Sequence, residues 1–158
     1  MKVEIQGETI VGEVQIDAPP ETVFDALTDP AQLESWWGAG EMYRTFDWKM
    51  DLRPGGKWSC KARGAKGDVS TLHGQIVEVD RPRTLAYTWN PSWDKIPETE
   101  VRYTLERMGA GTSVKLIHSG FAGSEESQKK HTQGWPQVLG WLRGRFQLAA
   151  KAAKEEQS

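Results

Sequence analysis

Residues 134–153 read GWPQVLGWLRGRFQLAAKAA, and the reading of this stretch decides the fold. Trp135, Val138, Leu139, Leu142, Phe146 and Ala149 recur at steps of three and four, so a helix gathers them on one face. Arg143, Gln147, Lys151 and Lys154 fall mostly on the other. Burying each large side chain of such a stripe is worth about 1.5–3 kcal/mol. The helix therefore needs a concave apolar partner, and the upstream chain has to build it.

The period upstream is mostly two. Glu8–Asp17 reads as a first strand, with Val14 and Ile16 on one face. Two short helices follow. One carries Val23, Phe24, Ala26 and Leu27 after Pro19-Pro20; the other carries Leu33, Trp36 and Trp37 after an Asp29 cap and Pro30. From Phe46 onward Phe46, Trp48, Met50 and Leu52 share one face, and then Trp58, Cys60 and Ala62 do so after Pro54-Gly55-Gly56. Leu72, Gly74 and Ile76 continue the pattern until Val77 and Val79 break phase, as at a bulge. Leu85, Tyr87 and Trp89, then Val101, Tyr103 and Leu105, then Val114, Leu116 and His118 complete six strands joined at hairpin length. The expected architecture is α+β: a curved seven-stranded antiparallel sheet wrapped around a long C-terminal helix, with two short helices after the first strand. Pro136 raises one local conflict, because it disfavours helix at Trp135; a Ser124–His131 helical segment joined to the main helix through a kink is expected.

A chain of 158 residues suits a single domain, with its core at about residues 8–153. The net charge of −2 removes the electrostatic argument for nucleic acid as a partner. Cys60 is the only cysteine, so no intrachain disulfide forms and a reducing cytoplasm is the simple expectation. No apolar run approaches the length of a membrane span. Eight tryptophans in so short a chain point to an unusually aromatic interior or pocket.

Several fragments narrow the reading. APPETVFDALTDPAQLESWWG (18–38), RPGGKW (53–58), LAYTW (85–89), VRYTLERMGAGTSVKLIHSGF (101–121) and GWPQVLGWL (134–142) occur in this order. Their succession resembles the heat-shock-protein-90 ATPase activator homologue family in its stand-alone bacterial-type form, within the START-like (SRPBCC) helix-grip proteins. The resemblance covers roughly Val11 to Phe146. It implies a deep cavity between sheet and helix, which relatives use for lipids, sterols, polyketides or hormones. The co-chaperone that names the family carries a further N-terminal domain, which is not expected here.

The inward phases nominate the cavity lining: Trp36 and Trp37 at the plugged end, and Phe46, Trp48, Met50, Trp58, Tyr87, Trp89, Tyr103 and His118 from the sheet. The helix adds Trp135, Leu139 and Leu142. His118 is the sharpest polar candidate, as an orienting or acid–base group or as a satisfied structural histidine. No metal site is expected, because His73, His118 and His131 are scattered and no cysteine cluster exists. No cofactor motif or nucleophile elbow is found, and Cys60 reads as a buried, inert hydrophobe. The leading expectation is non-catalytic binding of a small hydrophobic or aromatic molecule. A polyketide cyclase or aromatase built on His118 is the first alternative. A chaperone-interacting module is the second, with Trp93 in the Asn90–Pro97 loop as interface or lid. A homodimer stays open.

Overall fold

The computed structural model describes residues 1–157, with side chains through Gln147; Ala149, Lys151 and Lys154 of the helix pattern lie outside the described side chains. In chain order the elements are β1 (Lys2–Gln6), β2 (Thr9–Ile16), α1 (Pro20–Thr28), α2 (Pro30–Trp36), β3 (Gly38–Ala39) and β4 (Tyr43–Met50). They continue with β5 (Lys57–Gly64), β6 (Val69–Asp80), β7 (Thr84–Pro91), β8 (Thr99–Met108), β9 (Gly111–Ser119) and α3 (Glu125–Gln157). The strands form one antiparallel sheet in the order β1-β2-β9-β8-β7-β6-β5-β4-β3.

Among the described residues nine strands are present, not the seven expected, and the two short helices follow the second strand. β1 was illegible because Lys2, Gln6 and Ile5 stay exposed at the sheet edge, so burial imposes little alternation on it. β3 has only two residues and no periodicity to read. The short helices start where the prolines and the Asp29 cap place them: the Asp29 carboxylate accepts from the Ala31 N–H at 3.2 Å. Trp36 locks them together by donating its indole N–H to the Ala26 carbonyl at 2.8 Å.

α3 runs from Glu125 to Gln157 with Pro136 inside it, so the upstream helical segment and the main helix are joined. Trp135, Val138, Leu139, Leu142 and Phe146 are buried, as the stripe requires. The sheet reaches both flanks of this helix. Gly12 of β2 lies so close that a Cβ there would sit 3.4 Å from Leu139 Cδ1. On the far flank, Tyr43 of β4 meets Trp141 edge-on with ring centroids 5.5 Å apart.

Two irregularities set the inner face. The expected break at Val77 is a register shift between Ile76 and Glu78. A second shift, between Phe46 and Lys49, was not expected and reverses one assignment. Asp47 at φ 52° absorbs a residue there, so Thr45 and Trp48 face inward. Phe46 pairs with Lys61 on the outer face and carries the Arg63 guanidinium 4.8 Å from its ring centre. Leu52, placed on the same inward face from sequence, is exposed.

Candidate functional site

The buried apolar residues make one continuous cluster, but they do not fill the whole space between sheet and helix. Near the N-terminal half of α3 a cavity of about 540 Å³ remains. Its aromatic wall is Trp37, Trp48, Trp89, Trp135 and Tyr43. Small or apolar side chains at Thr45, Cys60, Ala62 and Leu72 form the sheet side, and Gly134 and Val138 form the helix side. The rim is polar: Asp68 from the β5–β6 hairpin, Trp93 and Asp94 from the β7–β8 loop, and Lys130 and His131 from α3.

Of the residues nominated from sequence, Trp37, Trp48, Trp89 and Trp135 line this cavity. The others do not. Tyr87, Tyr103, Leu139 and Leu142 lie in the solid half of the core, where burial pushes both phenols above their ordinary pKa and keeps them neutral. Trp36 stacks behind Trp37 with ring centroids 5.3 Å apart. Met50 is only partly buried against the core, and Trp58 lies over Gly74, donating its indole N–H to the Thr88 carbonyl at 2.8 Å. Phe46 is on the outer face, as described above.

His118 is fully buried and bonded on both ring nitrogens. Trp135 donates its indole N–H to Nδ1 at 3.0 Å, which leaves the proton on Nε2, 2.8 Å from Thr99 Oγ1. Thr99 then donates to the Trp89 carbonyl at 3.4 Å. Burial, and secondarily the neighbouring His131, hold the imidazole well below its ordinary pKa. His118 is therefore a neutral structural strut that positions Trp135, and it offers nothing to the cavity.

His131 is the histidine at the cavity. Its Nδ1 bonds to the Ser127 carbonyl at 2.9 Å, and its Nε2 accepts the Trp89 indole N–H at 3.2 Å. Burial lowers its pKa too, opposed by the Ser127 bond and by the charge of Asp94. Ser127 donates its hydroxyl to Asp94, tying the β7–β8 loop to α3. Sequence reasoning missed His131 because the stripe was started at Gly134; extended one turn upstream, His131, Trp135 and Val138 share a face. Asp68 and Asp94 lie in connections with no periodicity to reveal them. Burial pushes the Cys60 thiol up to about 12, so it is unreactive as a nucleophile although it faces the cavity.

These buried imidazoles carry a pH dependence. A histidine held neutral in the folded protein is protonated more readily in the unfolded chain, so stability is full above the unfolded pKa and declines as pH falls below it. Unfolding free energy is expected to be flat above about pH 7 and to fall below about pH 6.5, by up to about 1.4 kcal/mol per pH unit for each such histidine. Urea titrations at pH 7.5, 6.5 and 5.5 check this, and a midpoint that does not move across them overturns the assignment.

Among the described residues, no helix is long and apolar enough to cross a membrane. A model of the family described as "Activator of Hsp90 ATPase homolog 1-like protein" matches residues 17–147. No curated protein matches the chain. Solved structures do. The AHSA1 protein from Silicibacter pomeroyi is 25% identical with a TM-score of 0.77, covering 89% of this chain and 99% of its own. CalU16 from Micromonospora echinospora is 29% identical with a TM-score of 0.65, covering 87% of this chain and 74% of its own. Protein Ms6760 from Mycobacterium smegmatis is 22% identical with a TM-score of 0.78, covering 91% and 94%, and is similar in fold.

Proposed function

The chain belongs to the activator of Hsp90 ATPase homolog 1-like family, and from that premise we propose that it binds a small hydrophobic, aromatic molecule between the sheet and α3 without transforming it. The observation that carries this reading is the cavity of about 540 Å³ walled by four indoles. That volume is in the range of small-molecule sites, about 300–1,000 Å³. A cavity lined by large apolar rings costs stability if it serves nothing, because each ring forgoes contacts on one side.

The chemistry of the lining supports binding over catalysis. A general base needs a free lone pair within reach of the substrate. His131 has both ring nitrogens engaged, and the two carboxylates, Asp68 and Asp94, stand at the rim rather than on the aromatic wall. The cyclase alternative rested on His118, which lies outside the cavity lining. Trp93, 55% exposed at the rim, suits a lid over the mouth. Cys60, lone and buried, suits a reducing compartment, and the cytoplasm belongs to the same proposal.

N-phenyl-1-naphthylamine, a neutral apolar fluorophore, tests the reading. Titrated into the protein, it is expected to quench tryptophan emission saturably at one equivalent, because the four wall indoles lie within contact of any occupant. Linear, unsaturable quenching, or no brightening of the probe, would sink it.

A further inference from the structure

The hydrogen bonding of the cavity wall restricts the chemistry of its occupant. An indole ordinarily offers a ligand two things, a π face and one N–H donor. Here all four wall indoles have spent that donor inside the protein. Trp37 donates to the Tyr43 hydroxyl at 3.3 Å and Trp48 to Thr45 Oγ1 at 2.9 Å. Trp89 donates to His131 Nε2 at 3.2 Å and Trp135 to His118 Nδ1 at 3.0 Å. Thr45 gives its own proton to the Trp37 carbonyl at 2.6 Å. What these rings retain for a guest is their π surface, the negative pole of the ring quadrupole.

The rim carboxylates favour the same sign of guest. Asp68 and Asp94 place two carboxylates at the cavity, and Asp94 is half-buried. The one cation among the described lining residues, Lys130, is exposed and lies 3.6 Å from the Glu126 carboxylate on the solvent side of α3. Among the described lining residues the remaining neutral side-chain donors are the Tyr43 and Ser70 hydroxyls and, at the exposed rim, the Trp93 indole N–H. A carboxylate or phosphate guest would meet two like charges and few donors. A guest with a positive charge would meet π faces and carboxylates together, the combination that recognises ammonium groups.

We propose that the occupant of this cavity is a hydrophobic organic cation: a quaternary or tertiary ammonium on an apolar body, its charge over the indole faces and toward Asp94. The inference rests on the reading of the cavity as a ligand site and specifies the charge of what enters it. It also separates this site from a plain apolar pocket, which favours a neutral guest because an ammonium must shed water to enter.

The test uses a matched pair, (2-naphthylmethyl)trimethylammonium and 2-neopentylnaphthalene, which differ by a nitrogen cation in place of a carbon. Affinities are measured by tryptophan quenching at fixed salt and cosolvent. The ammonium compound is expected to bind on the order of tenfold more tightly than its carbon counterpart. Asp94→Asn, which keeps an acceptor for Ser127, is expected to remove most of that preference and leave the carbon compound within about twofold of wild type. Asp68→Asn, at an exposed position, serves as the second variant should Asp94→Asn melt early. Tighter binding of the carbon compound, or equal weakening of both guests in the variants, overturns the cation while the hydrophobic-ligand reading stands. If neither guest nor N-phenyl-1-naphthylamine binds, both readings fall.

Discussion

Gly74→Ala is expected to destabilise the protein by about 4 kcal/mol, a large part of the 5–15 kcal/mol that holds an ordinary domain together. The reason is local and geometric. A Cβ at Gly74 would sit 2.0 Å from the Thr88 carbonyl oxygen and 2.5 Å from Trp58 Nε1. Neither neighbour can yield cheaply. Thr88 is backbone of the adjoining strand, and Trp58 is a buried ring that crosses Gly74 to bond that same carbonyl. Overpacking of a closed core costs about 1–3 kcal/mol, and breaking the buried bond adds about 1–3 more. Trp58→Phe in the same chain should restore little, because the clash with the Thr88 carbonyl survives it. Gly144→Ala is the control: no atom lies within 4 Å of a Cβ there. In a helix interior that change should stabilise by about 0.5–1 kcal/mol. Urea midpoints of the three variants decide the matter, and a Gly74→Ala protein as stable as wild type would overturn the account of Trp58.

This pairing of Gly74 with Trp58 shows what a one-dimensional pattern carries. Alternation placed Trp58, Gly74 and Trp89 on the inner face, and all three are there. It was silent on where along the strand the face stops being core and becomes cavity. Tyr87 and Trp89 are two residues apart with the same phase, yet one is packed solid and the other borders open space. The difference depends on what the helix presents opposite each. Leu139, Leu142 and Phe146 fill their end, while Gly134 leaves the other unfilled. Phe46 failed for another reason: Asp47 in the left-handed region adds a residue to β4, and one added residue sends every earlier side chain to the opposite face. An aspartate gives weak notice of such a bulge, where a glycine would have given more. The helix stripe and the hairpin order were legible because burial imposes them over many residues at once. The polar rim was not, since Asp68, Asp94 and His131 come from three separate elements that only the closed sheet brings together.

The same logic makes Gly134 the most informative position for function. It lies on the cavity wall, and a Cβ there meets nothing within 4 Å. Gly134→Trp is therefore expected to grow a ring into the cavity rather than into its neighbours. An indole brings about 150–250 Å² of surface to bury, and the four wall indoles offer it matching faces. Binding of N-phenyl-1-naphthylamine should weaken by about 100-fold or more, because the guest must now displace a tethered ring of similar chemistry. Stability should hold or rise, since glycine is among the poorest residues for a helix interior and tryptophan fills part of the void. Loss of binding with the melting temperature kept is a combination that a merely unfolded variant cannot produce. An unchanged affinity in a folded Gly134→Trp protein would show that the probe binds elsewhere, and the cavity would lose its claim to be the site.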